Sequence, residues 1–263
     1  MTNVKIAALA GAAAMFATLA DAADLPLMDY PPIEVAAGGW YLRGDIGMSN
    51  QRVGSMFNVL YNAATSVTNV QKDFDSAPTF GLGVGYQFND WFRVDVIGEY
   101  RGKANFHGFD IVRSPAAGSD EYRASKSEWL ALVNVYADLG TWYSFTPFIG
   151  AGIGAANVTI SNFMDINTPA GGVAFADSAS KWNFAWALHA GVSYHVNARL
   201  SFEFAYRYLS LGDGITGDLI TFSGVNAVFN PMEFRNITSH DLKFGMRWLL
   251  DAPMHARPLM RKG

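Results

Sequence analysis

The sequence predicts an all-β fold, an eight-stranded antiparallel up-and-down β-barrel that crosses a membrane, and three observations predict it. Eight segments alternate apolar and polar residues at period two. The connections between them are alternately short and long, as in barrels that present turns to one side of a membrane and loops to the other. Half of the 263 residues are apolar and only 16% are charged, which leaves much apolar surface to be covered by something other than water.

The strands can be phased by placing their aromatic and aliphatic residues on one face. "WYLRGDIGM" sets Trp40, Leu42, Ile46 and Met48 against Tyr41, Arg43 and Asp45, and "TFGLGVGYQF" sets Phe80, Leu82, Val84, Tyr86 and Phe88 against glycines and Gln87. In "FRVDVIGEYRGK", Phe92, Val94, Val96 and Tyr100 oppose Arg93, Asp95, Glu99, Arg101 and Lys103; in "EWLALVNVYADLG", Trp129, Val133, Val135 and Leu139 oppose Glu128, Asn134, Tyr136 and Asp138. "TPFIGAGIGAANV" puts Gly150, Gly152 and Gly154 on one face and Ile149, Ala151 and Ile153 on the other. "NFAWALHAGVSYHV" puts Phe184, Trp186, Leu188 and Tyr194 opposite His189 and His195. "LSFEFAYRY" sets Leu200, Phe202, Phe204, Tyr206 and Tyr208 against Ser201, Glu203 and Arg207. "HDLKFGMRWLL" sets Leu242, Phe244, Met246, Trp248 and Leu250 against Asp241, Lys243 and Arg247. A tilted strand needs about 9 to 11 residues to cross a bilayer, which each segment supplies.

Three connections are short turns, at Asn89 and Asp90, at residues 140–144 and at 197–199, and are expected on the periplasmic side. Four are long, at 50–76, 104–125, 159–181 and 211–238, and are expected outside the cell. Residues 1–22 read as a secretory signal, with Lys5, an apolar run from Ile6 to Leu19 and an A-x-A site at Ala20 and Ala22. Residues 23–38 read as a periplasmic lead, 39–250 as the barrel and 251–263 as a periplasmic tail; disorder is the expected state of lead and tail, with contact of Arg257, Arg261 and Lys262 with anionic headgroups as the alternative. The chain has no cysteine, so neither disulfides nor thiol chemistry enter the reading.

The content of the polar face decides which face is wet. A soluble exterior would be rich in Lys, Glu and Thr, whereas this face mixes small residues with balanced charge: Arg43, Arg93, Arg101, Lys103, Arg207, Lys243 and Arg247 against Asp45, Asp95, Glu99, Glu128, Asp138, Glu203 and Asp241. An eight-stranded barrel has an interior just wide enough for side chains, so inward charges of both signs would pair and close the lumen. Tryptophans near the strand ends fit aromatic girdles, and no basic run points to nucleic acid.

With its strands placed, the chain resembles the eight-stranded outer-membrane barrels of Gram-negative bacteria, a group with the OmpA transmembrane domain, opacity proteins and porin-like alphaproteobacterial surface proteins. "TPFIGAGIG" at 146–154, "HAGVSYHV" at 189–196, "YRYLSLGDG" at 206–214 and "HDLKFGMRW" at 240–248 carry the resemblance. It implies a monomer in the outer membrane, contact with membrane lipid and lipopolysaccharide, and insertion by the barrel assembly machinery. The group usually ends on an aromatic residue of its last strand, but here Trp248 is followed by "LLDAPMHARPLMRKG", so the assembly signal is expected between Phe244 and Trp248.

"GAGIGA" at 150–155 fits a dinucleotide fingerprint in spelling, but no helix follows, and close packing of the interior explains the glycines. Ser239 and His240 could serve a lipid A-modifying enzyme at the outer rim, yet adjacent strand residues face opposite sides. No histidine spacing resembles a metal site, and no cofactor is expected. The fourth long connection carries Phe222, Val225, Val228, Phe229 and Phe234, and Phe222, Phe229 and Phe234 are the candidates for contact with a host or other surface ligand. The expected function is therefore non-enzymatic, envelope structure and surface interaction, with a narrow small-solute pore as the first rival.

Overall fold

The computed structural model describes residues 38–250 apart from 61–65, 115–116, 169–170, 225 and 227. The expected signal segment, nearly all of the lead, and the tail with Arg257, Arg261 and Lys262 lie outside the described residues, as does Val225. Alternating burial runs along the strands, since one face of each meets packed side chains and the other does not. Eight strands make the wall: β1 (Gly39–Arg52), β4 (Ala77–Gln87), β5 (Phe92–Ser114), β6 (Gly118–Asp138), β7 (Phe145–Thr168), β9 (Ala179–His195), β10 (Leu200–Ile215) and β12 (Glu233–Leu249). Each pairs antiparallel with the next, and β1 pairs with β12 from Tyr41↔Leu249 to Arg52↔Thr238, so the ring closes.

Four short strands extend this wall beyond the membrane-crossing part. β2 (Ser55–Phe57) continues β1 along β12, and β3 (Ser66–Phe74) continues β4 along β5. β8 (Val173–Ala176) pairs with the far end of β7, and β11 (Leu219–Thr221) pairs with β8. The connections expected at 104–125 and 159–181 are therefore mostly strand: β5, β6 and β7 are 23, 21 and 24 residues long, roughly twice what a bilayer requires. Period-two alternation carries on past the membrane, but small polar residues replace the aromatic ones on the outer face, so a reading keyed to a lipid-facing stripe ends there.

The outer face of the crossing part is apolar. Ile46, Leu82, Val96, Ile153, Leu188, Phe204 and Phe244 each leave half or more of their surface uncovered by protein. That is the band an outer-membrane barrel offers to lipid. Trp40, Trp91 and Trp142 are exposed at the short-turn end, and Trp129 and Trp182 at the other. Between these two girdles, in the interior, lie the charges.

Candidate functional site

Alternation delivers every charge predicted for the lumen to the inside except one. Arg101 and Gly102 are both buried, and the register of β5 against β6 slips between Arg101 and Ala104, so Lys103 turns outward. A bulge adds one residue and reverses the phase beyond it. Lys126 takes the vacated role, fully buried two residues before Glu128 and bonded to Gln51 and to Glu128. Counting back by two from Glu128 in "SKSEW" would have found it.

The interior charges form one connected network. Arg101 reaches Glu99 at 3.0 Å, Glu128 at 3.1 Å and Asp241 at 2.9 Å; Arg207 reaches Glu99 at 2.5 Å and Asp241 at 2.7 Å. Lys243 bridges Glu99 and Asp45, each at 2.5 Å, and Arg43 continues from Asp45 at 3.5 Å to Asp95 at 2.7 Å and Glu203 at 3.6 Å. Glu203 also meets Arg93 at 3.1 Å and Arg247 at 3.2 Å, and Arg93 ends the chain on Asp138 at 3.2 Å. Seven cations thus face seven carboxylates. Every charge is held by more than one partner or by a neighbour that is, which is how buried ions are tolerated.

Aromatic and small residues fill what the charges leave. The Arg93 guanidinium lies over Tyr136 at 4.3 Å and Phe148 at 4.8 Å. Gly152 opposes Asn134 and Gly85 opposes Tyr41 so closely that a Cβ on either glycine would collide with the facing side chain. His189 and His195 point inward: Nε2 of His189 meets Asn134 at 3.1 Å, and His195 bridges Thr146 and Ser201, both at 2.8 Å. The gap lined by Arg43, His189, Arg207 and Lys243 has a volume of about 10 Å³, room for about one water. A wider vestibule of about 320 Å³ opens at the short-turn end beside Asp138, His195 and Arg247.

Further from the turns the filling changes to an apolar plug. Phe74, Phe106, Phe163, Phe234 and Tyr122 pack with ring centroids 4.9 to 6.2 Å apart. Phe234, expected as a surface contact, is fully buried here, because it falls on an inward position of β12. Phe222 and Phe229 are 89% and 70% exposed; Phe175 and Ile220, also exposed, stand opposite each other on β8 and β11. Ser239 and His240 face opposite sides: Ser239 bonds Arg101 and Asp241 inside, while the Tyr206 hydroxyl lies 2.6 Å from Nδ1 of His240 outside. That separation gives the pair no shared site for a nucleophile and base. Among the described residues no cluster of ligating side chains could hold a metal.

A family model described as outer membrane protein beta-barrel domain matches residues 6–230. An uncharacterised protein of Brucella suis is 33% identical over 220 residues, covering 74% of this chain and 77% of that one. The outer membrane protein PagN of Salmonella typhimurium is 35% identical over 142 residues, covering 50% of this chain and 56% of PagN. A putative adhesin of Rickettsia bellii is 28% identical over 212 residues, covering 80% and 87%. Among solved structures, the outer membrane protein OprG from Pseudomonas aeruginosa is similar at 17% identity, with 81% and 97% of the two chains covered and a TM-score of 0.46.

Proposed function

The chain belongs to the outer membrane protein β-barrel domain family, and on that premise we propose that it is a non-enzymatic envelope barrel that attaches to a partner surface through its extracellular end. Its relatives are outer-membrane proteins, some of them named as putative adhesins. One observation carries the finer reading: beyond the vestibule at the short-turn end the interior is closed, by ion pairs and then by aromatic rings, while Phe222 and Phe229 stand uncovered at the loop end. Exposed aromatics of this kind are what interfaces use as anchors. The relatives named as adhesins support the same reading.

Adhesion of bacteria that display the chain to a host-cell monolayer tests it. Deleting residues 220–229 should abolish attachment while the barrel still shifts on heating in a gel. Unchanged attachment would end the proposal. The rival, a small-solute pore, is tested by single-channel conductance of the native chain and of Arg207→Ala and Glu203→Ala. Steady conductance by the native chain would make solute passage the better reading, and silence from a folded barrel is the expected result.

A further inference from the structure

At the short-turn end the lumen widens into the vestibule of about 320 Å³. Asp138 of β6, Thr146 of β7, His195 of β9 and Arg247 of β12 line it from the wall, and Asp90 and Thr141 line it from two of the short turns. Its volume falls at the lower end of the range for small-molecule pockets, roughly 300 to 1,000 Å³. Two of its groups are charges of opposite sign set into the wall. Arg247 is 5% exposed: Nε meets Glu203 at 3.2 Å and Nη1 donates to Gln87 at 2.9 Å, while no hydrogen bond takes Nη2 among the described residues. Asp138 is 6% exposed, and both its oxygens accept from Nε of Arg93 at 3.2 Å, which leaves lone pairs on each. Asp90 adds a second carboxylate at the mouth, exposed and without an ion pair among the described residues.

Hydroxyls complete the lining. Thr141 and Thr146 share a hydrogen bond of 2.7 Å, Thr146 continues to Nε2 of His195 at 2.8 Å, and Nδ1 of His195 continues to Ser201 at 2.8 Å. Both ring nitrogens of His195 are therefore engaged, so the histidine holds the hydroxyls in place and is not itself free for a ligand. Behind the cavity, Glu203 with Arg93 and Arg247 begins the balanced ion network that shuts the lumen. A ligand with one charge would unbalance that network, whereas a ligand with both signs brings a partner for each.

We propose that the vestibule binds an α-amino carboxylate group, its carboxylate on Nη2 of Arg247 and the Thr141 hydroxyl and its ammonium between Asp138 and Asp90. This binding is separate from attachment at the loop end and rests on the short turns facing the periplasm. Charge-assisted hydrogen bonds at both ends of the group favour it over a ligand with either charge alone. Two sources carry the same chemistry: a free amino acid, and a cell-wall peptide whose diamino acid keeps one amino carboxylate unlinked.

The test is a calorimetric titration of the full chain, purified from outer membranes in detergent, with D-alanine as the free probe and a soluble wall peptide bearing an unlinked diamino acid as the other. Saturable binding of at least one probe is expected, with acetate and ethylamine at least about tenfold weaker. Tighter binding of the wall peptide than of D-alanine assigns the site to the wall, and equal or weaker binding assigns it to free solute; both outcomes support the site. Asp90→Asn and Thr141→Val lie outside the ion network and should each weaken binding about threefold, and Arg247→Lys about tenfold. Phe222→Ser, at the other end of the barrel, should change nothing. Absence of saturable binding by both probes, or binding of acetate or ethylamine as tight as theirs, would overturn the proposal on the native chain alone. Unaltered affinity in a folded Asp90→Asn, Thr141→Val double variant would overturn it too.

Discussion

Between the short turns and the level of Ser239 the barrel interior holds seven cations and seven carboxylates bonded to one another, whereas from Ala104 outward it is closed by Phe74, Phe106, Phe163, Phe234 and Tyr122. The two fillings meet where Lys126 bonds to Glu128 and sits 4.6 Å from the Phe74 ring centroid. Outside, the order is reversed: the charged stretch is wrapped in lipid-facing apolar residues, and the apolar plug in polar ones. Each stretch buries inside what its surroundings cannot take. A barrel of lipid-clad wall can accept ions in its core because they are paired, while a wall surrounded by water gains stability from burying rings in the ordinary way.

The comparison is broken most sharply by removing one partner from the charged stretch. Arg207→Ala leaves Glu99 and Asp241 each short of a cation inside a sealed lumen, and should cost about 3 to 5 kcal/mol in urea unfolding of the detergent-held barrel. Adding Asp241→Asn to an Arg207→Met variant should recover part of that loss, since neutral groups need no counter-charge. A cost no larger than for a surface arginine such as Arg113 would mean that water reaches the network freely. In the plug, Phe106→Ala should cost about 3 kcal/mol, within the range for a buried ring. Its effect should be felt as protease cleavage of the extracellular hairpins, with the membrane-crossing wall intact.

The wall and the phase of its charges were legible in the sequence because period two survives wherever one face meets lipid. Phe92, Val94, Val96 and Tyr100 suffice to put Arg93, Asp95, Glu99 and Arg101 inside. Lys103 was not legible, because a bulge leaves no mark in alternation except the glycine before it, Gly102. Phe234 misled for a related reason. It follows a stretch of turn residues, and nothing local tells that the strand has already begun at Glu233 and aims it inward. The acidic residues above the plug were likewise out of reach, since only the register of three strands brings them together.

Those acidic residues sharpen the contrast with the balanced network. Asp110 and Asp120 face each other across β5 and β6, and Asp165 lies on β7 close enough to feel both charges. Burial first, and then the charges of Asp120 and Asp110, push the Asp165 carboxyl up to about 7. A carboxyl raised in the folded state gives stability that is fully present below about pH 4, declines as the pH rises and is gone once the pH has passed about 7. Amide protection factors of the extracellular hairpins, taken relative to the intrinsic exchange rate at each pH, should therefore be lower at pH 8 than at pH 5, and Asp165→Asn should flatten that difference. A native profile equally flat over that interval would show that the trio is neutralised by other means.

The smallest effect on stability is expected at the exposed end of the fourth connection. Phe222 is 89% exposed, so Phe222→Ser should change the unfolding midpoint by less than about 0.5 kcal/mol. The same substitution removes a ring that is almost wholly uncovered. If that ring is an anchor for a partner surface, attachment should fall at least tenfold while stability holds, the opposite of Phe106→Ala, where hairpin order is lost first. The pair of variants separates a residue kept for the fold from one kept for contact. Loss of stability in Phe222→Ser comparable to that in Phe106→Ala would place Phe222 in the plug's packing and withdraw it from the surface.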